Sequence, residues 1–104
     1  MLRFRQYEAE AKQFISESVK GDIDYFVLGL CSEAGEVADK FKKLKRDGNI
    51  NKRDVVKELG DCLWYITAIA SVMEVELDSV AGENLRKLKD RQKRNKIKGS
   101  GDNR

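Results

Sequence analysis

Apolar side chains recur at helical spacing in four segments of this 104-residue chain, and no segment favours strands. The helices that this pattern predicts cover residues 4–19, 24–46, 51–73 and 78–95. Turn signals follow the first two segments, at Gly21-Asp22 and at Asp47-Gly48-Asn49. The residues that we expect to begin the last two helices are Asn51 or Lys52 and Asp78 or Ser79.

Long helical segments with short connections favour antiparallel packing, so the expected fold class is all-α, a four-helix bundle. We assign residues 1–98 to one helical domain and residues 99–104, GSGDNR, to a flexible C-terminal tail. A chain of this length buries only about two-thirds of its unfolded surface. We therefore expect homo-oligomerisation to complete the core.

Composition excludes several kinds of chemistry. Histidine is absent, which rules out Ser-His-Asp and Cys-His catalysis and a His-rich zinc site. The two cysteines, Cys31 and Cys62, are too few for a disulfide framework, and both are expected to be buried thiols.

No apolar run approaches the roughly 18 residues of a membrane span, and no signal sequence is recognisable. We expect a cytoplasmic protein without a membrane partner.

Charge is divided unevenly along the chain. Residues 1–83 carry 12 lysines and arginines against 16 aspartates and glutamates, whereas residues 84–104 carry 9 against 2. An acidic body with a basic end suits a polyanionic ligand that arrives with cations, and it also suits a tail that contacts nucleic acid.

One short motif, Glu-x-Gly-acid, occurs in both the second and the third predicted helix. Its copies are Glu33-Ala34-Gly35-Glu36 and Glu58-Leu59-Gly60-Asp61. Residues three apart on an α-helix differ by about 60° in direction and about 4.5 Å in height, so each copy places two carboxylates on one face. Glu33 and Glu58 lie within the apolar stripes. Antiparallel packing of these stripes would bring the four carboxylates together.

Such a cluster needs a counter-ion, because buried unpaired charges cost several kcal/mol each. A hard divalent cation suits it, since Mg²⁺ prefers oxygen ligands and leaves positions for substrate phosphates. The glycine in each copy costs about 1 kcal/mol relative to alanine and leaves room for a helix or a ligand. A single acid pair is usually a solvated helix face, but two glycine-spaced copies favour a metal site.

Candidate substrate-binding residues lie in the third and fourth predicted helices. Asn84, Lys87 and Arg91 share one face and could hold phosphate oxygens, although a solvated basic face is the alternative interpretation. Trp64 could stack on a base, with packing in the core as its alternative.

Several of these segments are similar to one known family. They are LCSEAGEVAD at 30–39, ELGD at 58–61, LWY at 63–65, NLRKLKDR at 84–91 and the closing GSGDNR. Together they resemble the MazG-like, all-alpha nucleoside triphosphate pyrophosphohydrolases over nearly the whole chain. One departure is Ser32, where the family often has a glutamate.

The resemblance implies a MazG-like bundle that forms a homodimer or a tetramer. It also implies cleavage of an NTP or dNTP between the α- and β-phosphates, giving the monophosphate and pyrophosphate. Magnesium would be the cofactor, with Mn²⁺ as a substitute. The implied metal-binding and catalytic residues are Glu33, Glu36, Glu58 and Asp61, and those expected at the phosphates are Asn84, Lys87 and Arg91.

Two alternatives stay open. The same chemistry could act on a specialised substrate such as dUTP, dCTP or phosphoribosyl-ATP. A non-catalytic module that binds nucleic acid through its basic end is the alternative from another class, and the acid pairs argue against it because they would have no purpose there. The preferred base and sugar, the number of metal ions and the identity of the acid that activates water are not determined by the sequence.

Overall fold

The computed structural model describes residues 1–94, 99 and 101–102. It contains the helices α1 Phe4–Ala11, α2 Ile23–Asp47, α3 Lys52–Val72 and α4 Leu77–Lys93. Two 3₁₀ turns, Lys12–Phe14 and Glu17–Val19, lie between α1 and α2. No strand occurs in the described part, which confirms the all-α prediction. The predicted end of the fourth helix at residue 95 and the domain boundary at residue 98 lie outside the described residues, as do residues 100, 103 and 104 of the predicted tail.

An antiparallel pair formed by α2 and α3 is the main packing unit. Asp47 ends α2, and Gly48 follows it in the left-handed conformation (φ 81°), which glycine adopts without strain. The Asn51 side chain then accepts hydrogen bonds from the backbone N–H groups of Arg53 and Asp54. The predicted turn is confirmed, and so is the predicted start of the third helix at Asn51 or Lys52. The turn reverses the direction of the chain, so that α3 runs antiparallel to α2.

The far end of this helix pair is aromatic. Phe26 is fully buried, and its ring meets that of Trp64 edge to face at a centroid distance of 6.0 Å. Tyr25 and Tyr65 lie beside them with ring centroids 6.5 Å apart. These rings supply much of the apolar contact that holds α2 against α3.

The first helix is shorter than predicted. The pattern predicted helix to residue 19, but α1 ends at Ala11 and the backbone is extended at Ile15 and Ser16. The Ser16 hydroxyl accepts a hydrogen bond from the Ser18 backbone N–H, which offers the chain a local turn in place of a helical bond. The apolar side chains keep helical spacing across this break, so their spacing alone did not reveal it.

The cap expected for the fourth helix is also wrong. The N-cap residue is Glu76, and its side chain makes no capping bond. Instead, a carboxylate oxygen of the buried Glu8 accepts a hydrogen bond of 3.1 Å from the Leu77 backbone N–H. A residue of α1 thus caps α4 from 69 positions away, which a local sequence pattern cannot reveal.

Glycine permits close contact between α2 and α3, though not at the predicted positions. A Cβ atom at Gly29 would overlap the Tyr65 ring. Around Gly35 and Gly60, no described atom apart from the two chain neighbours and the local helix backbone lies within 4 Å of the Cβ position. No other described helix of the chain therefore contacts these two glycines, and the alternative, that they leave room for a ligand, stays a prediction.

The first expected outcome concerns the Glu8 cap. Replacing Glu8 with alanine leaves a buried N–H without its acceptor, which should lower the free energy of unfolding by about 1–3 kcal/mol. Replacing the exposed Glu10 on the same helix should change it by less than about 0.5 kcal/mol. Urea denaturation at one protein concentration measures both, and equal losses would contradict the capping role.

The second expected outcome compares two glycines of α2. Alanine at Gly29 must displace the Tyr65 ring, so Gly29→Ala should destabilise the fold by about 1–3 kcal/mol. Alanine at Gly35 meets open space and should stabilise the helix by up to about 1 kcal/mol. Urea midpoints of the two variants should therefore move in opposite directions, and a shift of the same sign would refute the assigned packing.

Candidate functional site

Three carboxylates converge between α2 and α3. Glu33 comes from α2, while Glu58 and Asp61 come from α3, and one oxygen of each lies within 4.8 Å of the other two. Glu33 and Glu58 are half-buried, whereas Asp61 is exposed. We call these three residues the acid trio. The antiparallel pairing that the long helices and short connections predicted is what brings them together.

Glu36 is the predicted acid that the acid trio does not include. It is exposed on α2, one turn beyond Glu33. Its charge nevertheless raises the pKa of Glu33, as the last of several causes. Glu36 therefore lies at the margin of the acid trio and influences it by charge.

Crowding of the carboxylates raises the pKa of Glu33. Its pKa is raised above the ordinary value, first because its carboxyl shares a hydrogen bond with Glu58 and then because of burial. The charges of Asp61, Glu58 and Glu36 add to the shift in that order. Without a cation, the acid trio thus favours holding a proton on Glu33.

Neighbouring groups feel the same negative charge. Burial raises the pKa of Tyr7, Cys62 and Tyr65, and the charge of Asp61 raises each of them further. Tyr7 belongs to α1, so this helix borders the acid trio. From the sequence, Tyr7 could stack on a base, although its helical spacing favoured packing in the core.

The donor set of the acid trio suits a hard cation. All the convergent atoms are carboxylate oxygens, which are the ligands that Mg²⁺, Mn²⁺ and Ca²⁺ prefer, and neither sulfur nor nitrogen is among them. A divalent ion would also offset the mutual repulsion of the crowded carboxylates. The residues therefore fit the group that the sequence predicted.

Basic residues of α4 occupy different environments. Asn84 is exposed and Lys87 half-buried, but Arg91 is only 4% exposed. Lys87 Nζ lies 3.0 Å from an Asp102 carboxylate oxygen, and Arg91 Nη2 lies 3.3 Å from the same oxygen. Within the described residues, no hydrogen bond or ion pair joins Asn84, Lys87 or Arg91 to the acid trio.

Trp64 is partly a packing residue. Its Nε1 donates a hydrogen bond of 3.0 Å to the Ala11 carbonyl, which attaches α1 to α3. The same side chain also lines a cleft of about 250 Å³, together with Leu2, Tyr7 and Phe14. The two interpretations of Trp64 in the sequence are therefore compatible.

The two cysteines differ. Cys62 is half-buried, but Cys31 is exposed, so the prediction of a buried thiol is wrong at Cys31. Of the described helices, none combines the length and the apolar character needed to cross a membrane.

A helix pair that gathers three carboxylates between its members, with aromatic rings packed nearby, defines an all-α protein with a candidate cation site. Residues 23–95 match the family described as the MazG nucleotide pyrophosphohydrolase domain, and the chain belongs to this family. A curated relative, the Gene 37 protein of Mycobacterium phage L5, is 45% identical over 93 residues, which covers 85% of this chain and 81% of that protein. No solved structure gives a significant match.

A third expected outcome tests the crowding of the carboxylates. In metal-free protein near neutral pH, Glu58→Gln should raise the free energy of unfolding by about 0.5 kcal/mol, because one of the repelling charges is removed. Glu10→Gln should have no effect. Thermal unfolding in the presence of a chelator measures this, and a clear loss of stability in Glu58→Gln would contradict the repulsion.

The pH dependence follows from the raised pKa of Glu33. The folded protein retains a proton that the unfolded chain releases, so this contribution to stability is complete below the ordinary glutamate pKa. It is lost as the pH rises through the raised pKa. The loss should be smaller in Glu58→Gln, since the hydrogen bond with Glu58 is its largest cause.

Proposed function

We propose that this chain is a Mg²⁺-dependent hydrolase that converts an NTP or dNTP to the monophosphate and pyrophosphate. Membership of the MazG nucleotide pyrophosphohydrolase domain family supports a nucleotide as the substrate. The observation that carries the proposal is the acid trio, whose oxygens lie within 4.8 Å of one another between two helices. A cluster of this kind is costly unless a cation binds to it.

Each candidate residue has a role in this proposal. Glu33, Glu58 and Asp61 hold the cation, and Glu36 adds negative charge at the margin. When bound, Mg²⁺ would supply polarisation of the phosphate oxygens and partial neutralisation of their charge. A carboxylate of the cluster accepts the proton of the attacking water. Asn84, Lys87 and Arg91 bind the phosphates and stabilise the negative charge of the leaving pyrophosphate.

The base would lie against α1. A cavity of about 580 Å³ is bordered by Leu2, Phe4, Tyr7 and Leu63, and its lining is mostly apolar. The smaller cleft beside Trp64 shares Leu2 and Tyr7 with this cavity. Because Tyr7 also feels the charge of Asp61, the apolar space adjoins the acid trio. An aromatic-lined space next to a cation site suits a nucleoside whose phosphates reach the metal.

A homo-oligomer is part of the proposal. The Cα radius of gyration is 16.3 Å, compared with about 13 Å for a compact chain of this length. The accessible surface is 8181 Å², compared with about 6,000 Å² for a folded monomer of this mass. The helix pair also exposes Val27, Leu28, Val56 and Leu59. A second copy that covers this apolar surface would complete the core, and sedimentation velocity distinguishes monomer, dimer and tetramer.

The test of the proposed reaction measures pyrophosphate release from a panel of NTPs and dNTPs with Mg²⁺. Glu58→Gln should reduce kcat by at least about 100-fold, because a cation ligand is lost. Asp39→Asn is the matched control, since Asp39 is paired with Lys42 and Lys43 outside the acid trio. Lys87→Met should mainly raise KM if this lysine binds substrate phosphates.

Binding provides a second measurement. Mg²⁺ with nucleotide should raise the melting temperature of the wild type and have little effect on Glu58→Gln. Equal activity in wild type and Glu58→Gln would refute the proposed site. Salt-sensitive retention of DNA or RNA, without any shift by Mg²⁺ and nucleotide, would support the nucleic-acid module instead.

A further inference from the structure

Gly101 and Asp102 lie against the face of α4 that carries Lys87 and Arg91. The carboxylate Oδ1 of Asp102 lies 3.0 Å from Lys87 Nζ and 3.3 Å from Arg91 Nη2. The same Arg91 nitrogen donates hydrogen bonds to the backbone carbonyls of Gly101 and Asp102, at 3.3 and 2.8 Å. A single anionic oxygen thus lies between two cationic groups that are one helical turn apart.

This arrangement is the one that a phosphate oxygen would adopt on the same two residues. Lysine and arginine bind carboxylate and phosphate oxygens with the same donors and at the same distances. The pKa of Asp102 is held below its ordinary value by the hydrogen bonds from Lys87 and then from Arg91, so the group is ionised at neutral pH. Two anions on one position would repel each other, so Asp102 and a phosphate exclude one another there.

The Asp102 carboxylate can be replaced on Arg91 by another anion. Arg91 is 4% exposed, whereas the Asp102 side chain is 79% exposed and accessible to solvent and to other anions. The buried Arg91 Nε has no hydrogen-bond partner among the residues that the structure describes. An unsatisfied buried donor carries a free-energy penalty, and an incoming anion with several oxygens could remove it.

We propose that Asp102 is an internal competitor that occupies the phosphate-binding position of Lys87 and Arg91, so that substrate phosphate must displace it. This inference rests on the proposed function, because it takes Lys87 and Arg91 as phosphate ligands. The predicted tail then has a defined role. It keeps the basic residues of α4 paired in the free protein and lowers the apparent affinity for anions.

The size of the effect follows from the population of the free site. The apparent dissociation constant equals the intrinsic constant divided by the fraction of molecules in which the position is open. An ion pair as exposed as that of Asp102 is displaced readily. Removing its charge should therefore tighten anion binding by about two- to five-fold.

The experiment measures the affinity of the full-length protein for inorganic triphosphate by calorimetry, with a chelator present so that the acid trio holds no metal. Asp102→Asn preserves the shape of the side chain and should bind triphosphate about two- to five-fold more tightly than the wild type. Asp47→Asn is the matched control. It removes a carboxylate paired with Arg46 at the end of α2 and should leave the affinity unchanged.

Lys87→Met makes the result specific to this position. This substitution should weaken triphosphate binding, and adding Asp102→Asn to it should recover much less affinity than the same change does in the wild type. Unchanged or weaker binding in Asp102→Asn, with weakened binding in Lys87→Met, would overturn the competition and leave the proposed phosphate site intact. Unweakened binding in Lys87→Met would overturn both.

Discussion

Repulsion between the carboxylates of α2 and α3 is the constraint on which the rest of the site depends. Packing of these helices along one another brings Glu33 close to Glu58 and Asp61. Carboxylates that were free to move in water would instead separate, because like charges repel. The aromatic packing of the same pair offsets it, because Phe26 is buried against the ring of Trp64. One helix pair therefore contains a stabilising apolar contact and, about one to two helical turns away, a cluster of repelling carboxylates. A cation bound by the acid trio would offset the repulsion without altering the packing.

Polar bonds attach α1 to this pair and α4 to α1. Trp64 donates to the carbonyl of Ala11, and Glu8 accepts from the backbone N–H of Leu77. Both bonds satisfy groups at helix ends, which would otherwise be buried without partners. They position α1 beside the acid trio, where Tyr7 feels the charge of Asp61. The short first helix thus serves as a wall of the site.

The helices and two of their ends were predictable because their signals are local. Asn51 and Gly48 were recognised from chemistry within a few residues, and long apolar stripes indicated α2 and α3. Long-range polar contacts have no such signal. The bond from Leu77 to Glu8 spans 69 positions, and the ion pair of Lys87 with Asp102 spans 15. The break after Ala11 was missed for a related reason, since apolar spacing continued through the serine-capped turn.

The candidate metal ligands show how far helical geometry alone can specify a site. Spacing placed Glu33 and Glu36 on one face of α2, but residues three apart still differ by about 60° in direction. Glu33 joins the cluster from α2, whereas Glu36 is exposed and does not belong to it. On α3, both Glu58 and Asp61 place an oxygen within 4.8 Å of the oxygen of Glu33. Two copies of one motif therefore contribute unequally, and the direction in which each helix faces the other decides which acids meet.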